Sequence, residues 1–212
     1  MVEKPANLYV KAHRYMESVL PPRPPVLREM EQYAAEHGFP IVGPLVGRLL
    51  YQMAVMTKAR RVLELGSGYG YSAYWFSLAM GSRGEIIMTD SSKNNKKRAM
   101  EYFMRAGLDT RFEFRVGDAL KGMAREDGPF DIIFNDIDKR DYPKTIDLAA
   151  PRLRKGGLFI TDNVIWDGKV ADRAPDETTA AIAAFNAELM RDSRFYTPIV
   201  PIRDGVAVAL RV

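Results

Sequence analysis

Arg61-Val62-Leu63-Glu64-Leu65-Gly66-Ser67-Gly68-Tyr69-Gly70-Tyr71-Ser72 is a short β-rich run that breaks into a glycine-rich turn and then into a helical stretch. A strand, a turn without side chains at Gly66, Gly68 and Gly70, and a helix together form the opening of a nucleotide-type α/β fold, because bare backbone lets a ligand approach closely. Counting G-x-G-x-x-G from Gly66 places Tyr71 where the third glycine of a nicotinamide-type fingerprint belongs, which weakens the dinucleotide reading. The G-x-x-x-x-G-K-[ST] pattern of a triphosphate-binding loop is absent.

Working outward, further β-rich runs at 85–89, 112–116, 131–135 and 158–161 alternate with helical stretches at 72–79, 94–106, 119–124 and 142–153. Gly107 and Gly156-Gly157 read as stop signals. Strands separated by helices predict a parallel sheet covered on both faces. A last helix over 177–190 precedes two strands around Asp204-Gly205, a dipeptide suited to a tight hairpin, so the sheet should hold seven strands and end in an antiparallel pair. On the amino-terminal side, apolar spacing predicts helices over 6–20, 26–37 and 44–58. The cluster Pro21-Pro22-Arg23-Pro24-Pro25 separates the first two, since proline cannot continue a helix. The expected organisation is one domain over 1–212, with a helical cap over 1–58 and a Rossmann-like core over 59–212.

Composition narrows the function classes. With 212 residues and 47% apolar content the chain can bury a core without staples, and zero cysteines exclude disulfides and a thiolate nucleophile. His13 and His37 alone share no metal-ligand spacing, which argues against zinc. The longest uncharged stretch, 65–82, carries glycines, tyrosines and serines unsuited to a bilayer core, and no secretory signal is visible. A cytoplasmic protein is expected. The net charge of +4 is a small, scattered surplus that leaves nucleic acid as a less favoured partner.

The chemistry-bearing residues sit where strands end. Asp90 closes the second strand, Asn135-Asp136-Ile137-Asp138-Lys139 follows the fourth and Asp162-Asn163 follows the fifth. In an open parallel sheet these carboxyl ends form the ligand crevice. Asp136, Asp162 and Asn163 offer only oxygens, a donor set for a hard divalent cation, although each alone also suits an ordinary loop.

The glycine turn together with Asp90 and Gly117-Asp118-Ala119 resembles the S-adenosylmethionine site of Rossmann-like class I methyltransferases. In that family the turn lies against the methionine part and the strand-end carboxylate takes the ribose hydroxyls. From about Val42 onward the chain resembles the cation-dependent O-methyltransferases, the catechol and caffeoyl-coenzyme A enzymes and their bacterial relatives. The motifs are Val62-Leu63-Glu64-Leu65-Gly66, Gly70-Tyr71-Ser72, Phe130-Asp131-Ile132-Ile133-Phe134, Asp136-Ile137-Asp138-Lys139, Gly156-Gly157-Leu158, Asp162-Asn163-Val164-Ile165-Trp166 and Asp204-Gly205.

That resemblance implies cofactor contacts at Val42, Glu64, Gly66, Ser67, Ser72, Asp90, Ala119 and Asp138, and cation ligands at Asp136, Asp162 and Asn163. The cation would be Mg²⁺ or another divalent ion such as Mn²⁺ or Ca²⁺. It also implies a catalytic lysine at Lys139, acceptor contacts at Asp136 and Trp166, and a homodimer. A nearby cation and partial burial would favour the neutral amine of a catalytic lysine, whereas most lysines are solvated surface groups; Trp166 could equally pack against core. The expected activity is methyl transfer to a hydroxyl of a small catechol-like phenol, with transfer-RNA hydroxyuridine as the alternative acceptor within the family. Gly43-Pro44, Asp167 and Arg203 depart from the family pattern and leave the acceptor open, and the first 40 residues carry no match.

Overall fold

The computed structural model describes residues 5–212, with side chains from Tyr9 onward; residues 1–4 of the expected cap lie outside the described residues. Three helices come first: α1 (Pro5–Ser18), α2 (Pro25–His37) and α3 (Gly43–Met56). Pro25 stands in the first turn of α2, where its missing N–H costs nothing, and Gly38 closes the helix in the left-handed region at φ 61°.

The core then alternates β1 (Arg61–Leu65), α4 (Tyr71–Met80), β2 (Glu85–Asp90), α5 (Lys93–Ala106), β3 (Arg111–Val116), α6 (Ala119–Ala124) and β4 (Phe130–Asn135). It continues through α7 (Thr145–Ala149), β5 (Leu153–Thr161), α8 (Glu177–Arg191), β6 (Phe195–Tyr196), β7 (Ile199–Val200) and β8 (Val206–Arg211). The strand order is β3-β2-β1-β4-β5-β8-β6, with β7 also paired to β8. β1 to β5 run parallel and β8 runs antiparallel to β5. β6 and β7 pair successive parts of β8 and so form one edge strand interrupted at Thr197-Pro198. The expected seven strand positions are filled by eight segments.

Consecutive strand residues face opposite layers. Val62, Ile86, Ile132 and Ile160 pack with Leu50, Phe76 and Phe103 on one face, while Leu63, Ile133 and Phe159 pack with Ile146 and Phe185 on the other. Both faces are covered, which is why the strands read as continuous apolar runs. The order reverses between β1 and β4, and the crevice opens there at the carboxyl edge.

Three local expectations are corrected. The helix expected over 142–153 is a 3₁₀ segment, Lys139–Lys144, followed by the short α7 and a second 3₁₀ turn, Ala150–Arg152. Pro143 and Pro151 lack the N–H that a continuous helix needs. Gly156-Gly157 does not stop a helix but lies within β5, where the register with β4 shifts between Phe130↔Leu153 and Ile132↔Leu158. Gly157 fits there because a Cβ would stand 2.9 Å from the carbonyl oxygens of Arg154 and Asp131. The turn at Asp204-Gly205 is not a two-residue hairpin, since residues 201–205 all separate β7 from β8. Among the described residues, no helix is long and apolar enough to cross a membrane.

Candidate active site

The glycine turn is anchored on its neighbouring strands. The Gly66 and Ser67 N–H groups donate to Thr89 O at 3.1 and 2.8 Å, and a Cβ on Gly66 would stand 2.3 Å from Asp136 O. Gly66, at φ 79°, thus lets the turn lie directly on the chain leaving β4. Asp90 braces the turn, its Oδ2 accepting from Gly68 N at 3.1 Å and its Oδ1 from Ser92 N at 2.8 Å and Asn95 Nδ2 at 3.0 Å.

Below the turn these residues open a cleft of about 640 Å³, the size of a cofactor site. Its wall brings together Val42, Gly66, Ser67, Ser72, Asp90, Ala119, Asp136, Asp138, Lys139, Asp162, Asn163 and Trp166, so nearly all residues expected at the site share one cavity. Glu64 differs. Strand alternation turns it away from Leu63 and Leu65, and it stands fully buried behind Ser72, whose hydroxyl donates to Glu64 Oε1. Glu64 Oε2 has no partner among the described residues, and burial pushes the carboxyl up to about 7 against the pull of hydrogen bonds from Ser72 and Ser67. Asp138 is half-exposed and is held down at about 2 by its hydrogen bonds from Arg140.

At the other end of the cleft, Asp136 and Asp162 each directly follow a strand. Asp136 N donates to Leu65 O at 2.9 Å and Asp162 N to Asn135 O at 3.2 Å, while the Tyr142 hydroxyl donates to Asp162 O at 2.9 Å. The side chain of Asp162 is buried, and its Oδ1 has no hydrogen-bond partner among the described residues. Burial pushes both carboxyls up; the charge of Asp136 adds to the shift of Asp162, while Lys139 and Arg203 oppose it at both. Lys139 Nζ sits 2.5 Å from Asp136 Oδ1. Asn163 takes a left-handed backbone at φ 58°, and its Nδ2 donates to Asp204 Oδ2 at 3.4 Å, leaving its amide oxygen as the donor atom for a ligand.

The family model for O-methyltransferases matches residues 18–212. The chain belongs to the O-methyltransferase family. It is 32% identical over 216 residues to a catechol O-methyltransferase of Niastella koreensis, with 96% of this chain and 98% of that protein covered. Caffeoyl-CoA O-methyltransferase 2 of Zea mays is 28% identical over 210 residues, covering 92% of this chain and 80% of the relative. Among solved structures, the O-methyltransferase from Bacillus cereus in complex with SAH is similar at a TM-score of 0.85 and 28% identity, covering 97% of this chain and 99% of that one. The protein is therefore an S-adenosylmethionine-dependent O-methyltransferase of the catechol/caffeoyl-CoA type, with a Rossmann-like fold.

The residues of this O-methyltransferase suit a hard cation at the Asp136 end. Burial outweighs the charges of Lys139 and Arg203 at this carboxyl pair, one oxygen of which has no partner among the described residues, and such oxygen donors match a divalent ion. Among the described residues no group of three His, Cys, Asp or Glu could hold a metal, so the set depends on the amide of Asn163 as its third donor.

Sequence reasoning missed three parts of the site. Phe39 and Ile41, from the α2–α3 connection, line the cleft, although Phe39 lies in the first 40 residues, which carry no match, and Ile41 just before the stretch that does. Asp204 clamps the loop after β5: besides Asn163 it accepts from Asp167 N, and its carbonyl accepts from Ile165 N at 2.8 Å. The clamp holds Trp166 and Asp167 in left-handed conformations at φ 51° and 54°. Gly205 allows this close approach, since a Cβ there would meet Ile165 at 2.3 Å. The third is Arg203, whose Nη1 donates to Ile41 O at 2.5 Å across 162 residues of sequence.

Proposed function

We propose that this O-methyltransferase acts on a small catechol-like phenol and depends on a divalent cation, Mg²⁺ or a similar hard ion such as Mn²⁺ or Ca²⁺. The observation that carries the reading is Asp162 Oδ1, a buried carboxylate oxygen next to Asp136 without a partner among the described residues. Asp136, Asp162 and Asn163 would hold the ion, whose charge would favour the ionised form of an acceptor hydroxyl.

Val42, Gly66, Ser67 and Ser72 receive the methionine end of S-adenosylmethionine, Asp90 takes the ribose hydroxyls, and Ala119 and Asp138 complete the cofactor wall. Glu64 acts behind that wall by fixing the Ser72 hydroxyl. Asp136 orients the acceptor hydroxyl and Trp166 flanks its ring. Lys139, ion-paired with Asp136 at rest, would first give up a proton to solvent and then, as the neutral amine, take the hydroxyl proton. The acceptor oxygen then bonds to the sulfonium methyl as the sulfur–carbon bond breaks, giving the methyl ether and S-adenosylhomocysteine, and Lys139 releases the proton to solvent. Most of the acceleration comes from aligning oxygen, methyl carbon and sulfur. Exposed Tyr15, Val19, Val55 and Met56 support the homodimer that the resemblance implies.

The test measures methylation of catechol, caffeoyl esters and hydroxylated RNA with chelator and with added Mg²⁺. Turnover of a phenol should vanish in chelator and return with Mg²⁺, and Asp162→Ala should not respond to the ion. Full turnover in excess chelator refutes the cation dependence, and methylation of RNA in preference to phenols refutes the acceptor class.

A further inference from the structure

The cleft is acidic. Among the described residues, Asp90, Asp118, Asp136, Asp138, Asp141 and Asp162 line it, against two cations, Lys139 and Arg203. Lys139 is paired with Asp136, and Asp138 and Asp141 have their own partners in Arg140 and Lys144. Arg203 forms no ion pair among the described residues. One N–H of its guanidinium goes to Ile41 O, and among the described residues the others have no partner, which leaves them for a ligand.

Its position is also held at a conformational cost. Arg203 has φ 50°, a left-handed backbone that glycine adopts freely and that a residue carrying a Cβ adopts only at a cost. Three contacts hold it there. The Tyr9 hydroxyl donates to Arg203 O, Ile41 O accepts from Nη1, and Gly43 provides the space, since a Cβ there would stand 3.0 Å from Nη1. With its main chain tied to α1 through Tyr9 and its guanidinium tied to the α2–α3 connection through Ile41, Arg203 is a fixed cation on the cleft wall.

We infer that Arg203 reads a carboxylate on the acceptor, so that the substrates are catechols bearing a free acid, of the dihydroxybenzoate or dihydroxycinnamate class. The inference rests on the phenol reading above and narrows it. A neutral catechol has no use for an unpaired guanidinium. An anionic acceptor would be repelled by the aspartates unless a cation met it, and a planar guanidinium matches a carboxylate through two parallel hydrogen bonds. A polyphosphate such as a coenzyme A thioester or an RNA needs a cluster of cations, whereas the rest of this wall is acidic.

The experiment compares 3,4-dihydroxybenzoate and 3,4-dihydroxycinnamate with their methyl esters, and with caffeoyl-CoA, in the Mg²⁺-supplied full-length enzyme. The wild type should show a KM at least tenfold lower for each acid than for its ester, with similar kcat. Arg203→Gly, which suits the left-handed backbone, should raise the KM of the acids roughly 10- to 100-fold more than that of the esters, the value of a charge-assisted hydrogen bond. Arg203→Lys should recover part of the preference. Equal use of acid and ester by the wild type overturns the inference without any variant. An equal KM change for acid and ester in Arg203→Gly also overturns it, by making Arg203 a strut to Ile41, as does a preference for caffeoyl-CoA. Absence of methylation of every phenol would instead refute the acceptor reading on which the inference stands.

Discussion

Replacing Gly66 by alanine should cost much more than the same change at Gly38, although both residues have positive φ, 79° and 61°. At Gly38 no atom lies within 4 Å of the new methyl group, so only the left-handed backbone is penalised, by about 1 to 2 kcal/mol. At Gly66 the methyl would stand 2.3 Å from Asp136 O and 2.8 Å from Asp136 C. Those atoms are main chain and cannot turn aside, because Asp136 N is bonded to Leu65 O at 2.9 Å. Overpacking adds about 1 to 3 kcal/mol, for a total of roughly 2 to 5 kcal/mol. At roughly 2 to 4 °C per kcal/mol for a chain of this size, Gly66→Ala should lower Tm by about 4 to 20 °C and Gly38→Ala by about 2 to 8 °C. Any gain from stiffening the unfolded chain is common to both and cancels in the comparison. Parallel thermal melts read the difference, and equal Tm losses would refute the claim that the turn rests on the β4 end.

Lys139→Met should reduce kcat by about 10² to 10⁴ fold while S-adenosylmethionine affinity by calorimetry stays within a few fold, and the loss should shrink for acidic acceptors such as nitrocatechols; unchanged rates on weakly and strongly acidic phenols alike would remove Lys139 from the proton transfer. The raised carboxyl of Glu64, about 7 against 4.5, gives the ligand-free fold an extra bound proton between those values, so its stabilising contribution is complete below about pH 4.5 and is lost as pH rises through 7. Glu64→Gln should therefore flatten the fall in stability between pH 5 and 8, by up to roughly 3 kcal/mol, and a variant with the wild-type slope would show that Glu64 does not titrate there.

Sequence and structure agree best where the signal is local. The run into Gly66-Ser67-Gly68 identifies strand, turn and helix because backbone chemistry alone dictates them, and Asp90, Asp136 and Asp162 are readable as the polar residues that end apolar strands. The helix expected over 142–153 fails because Pro143 and Pro151 each remove an N–H that a continuous helix needs, splitting the stretch into short turns. Gly156-Gly157 reads the same on paper whether it ends an element or bulges within a strand, and only the pairing with β4 decides. The withdrawal of Glu64 behind Ser72 was available from strand parity, since Leu63 and Leu65 face the other layer. Arg203 was not readable as a fixed cation, because its anchors Tyr9 and Ile41 lie at the far end of the chain.

The last paired rung of β4 and β5 is Asn135↔Thr161, and Asp136 and Asp162 each come one residue later. The spacing of the two carboxylates is thus ruled by the hydrogen-bond ladder, with strands about 4.8 Å apart, and not by the length of chain between them. Insertions and deletions in the β4–β5 connection around α7, at the opposite edge, leave that ruler untouched. A single residue gained or lost within either strand would carry a carboxylate to the other face of the sheet. Lineages of this enzyme are therefore free to vary in length on the far side of the sheet, while the two strands stay locked in step.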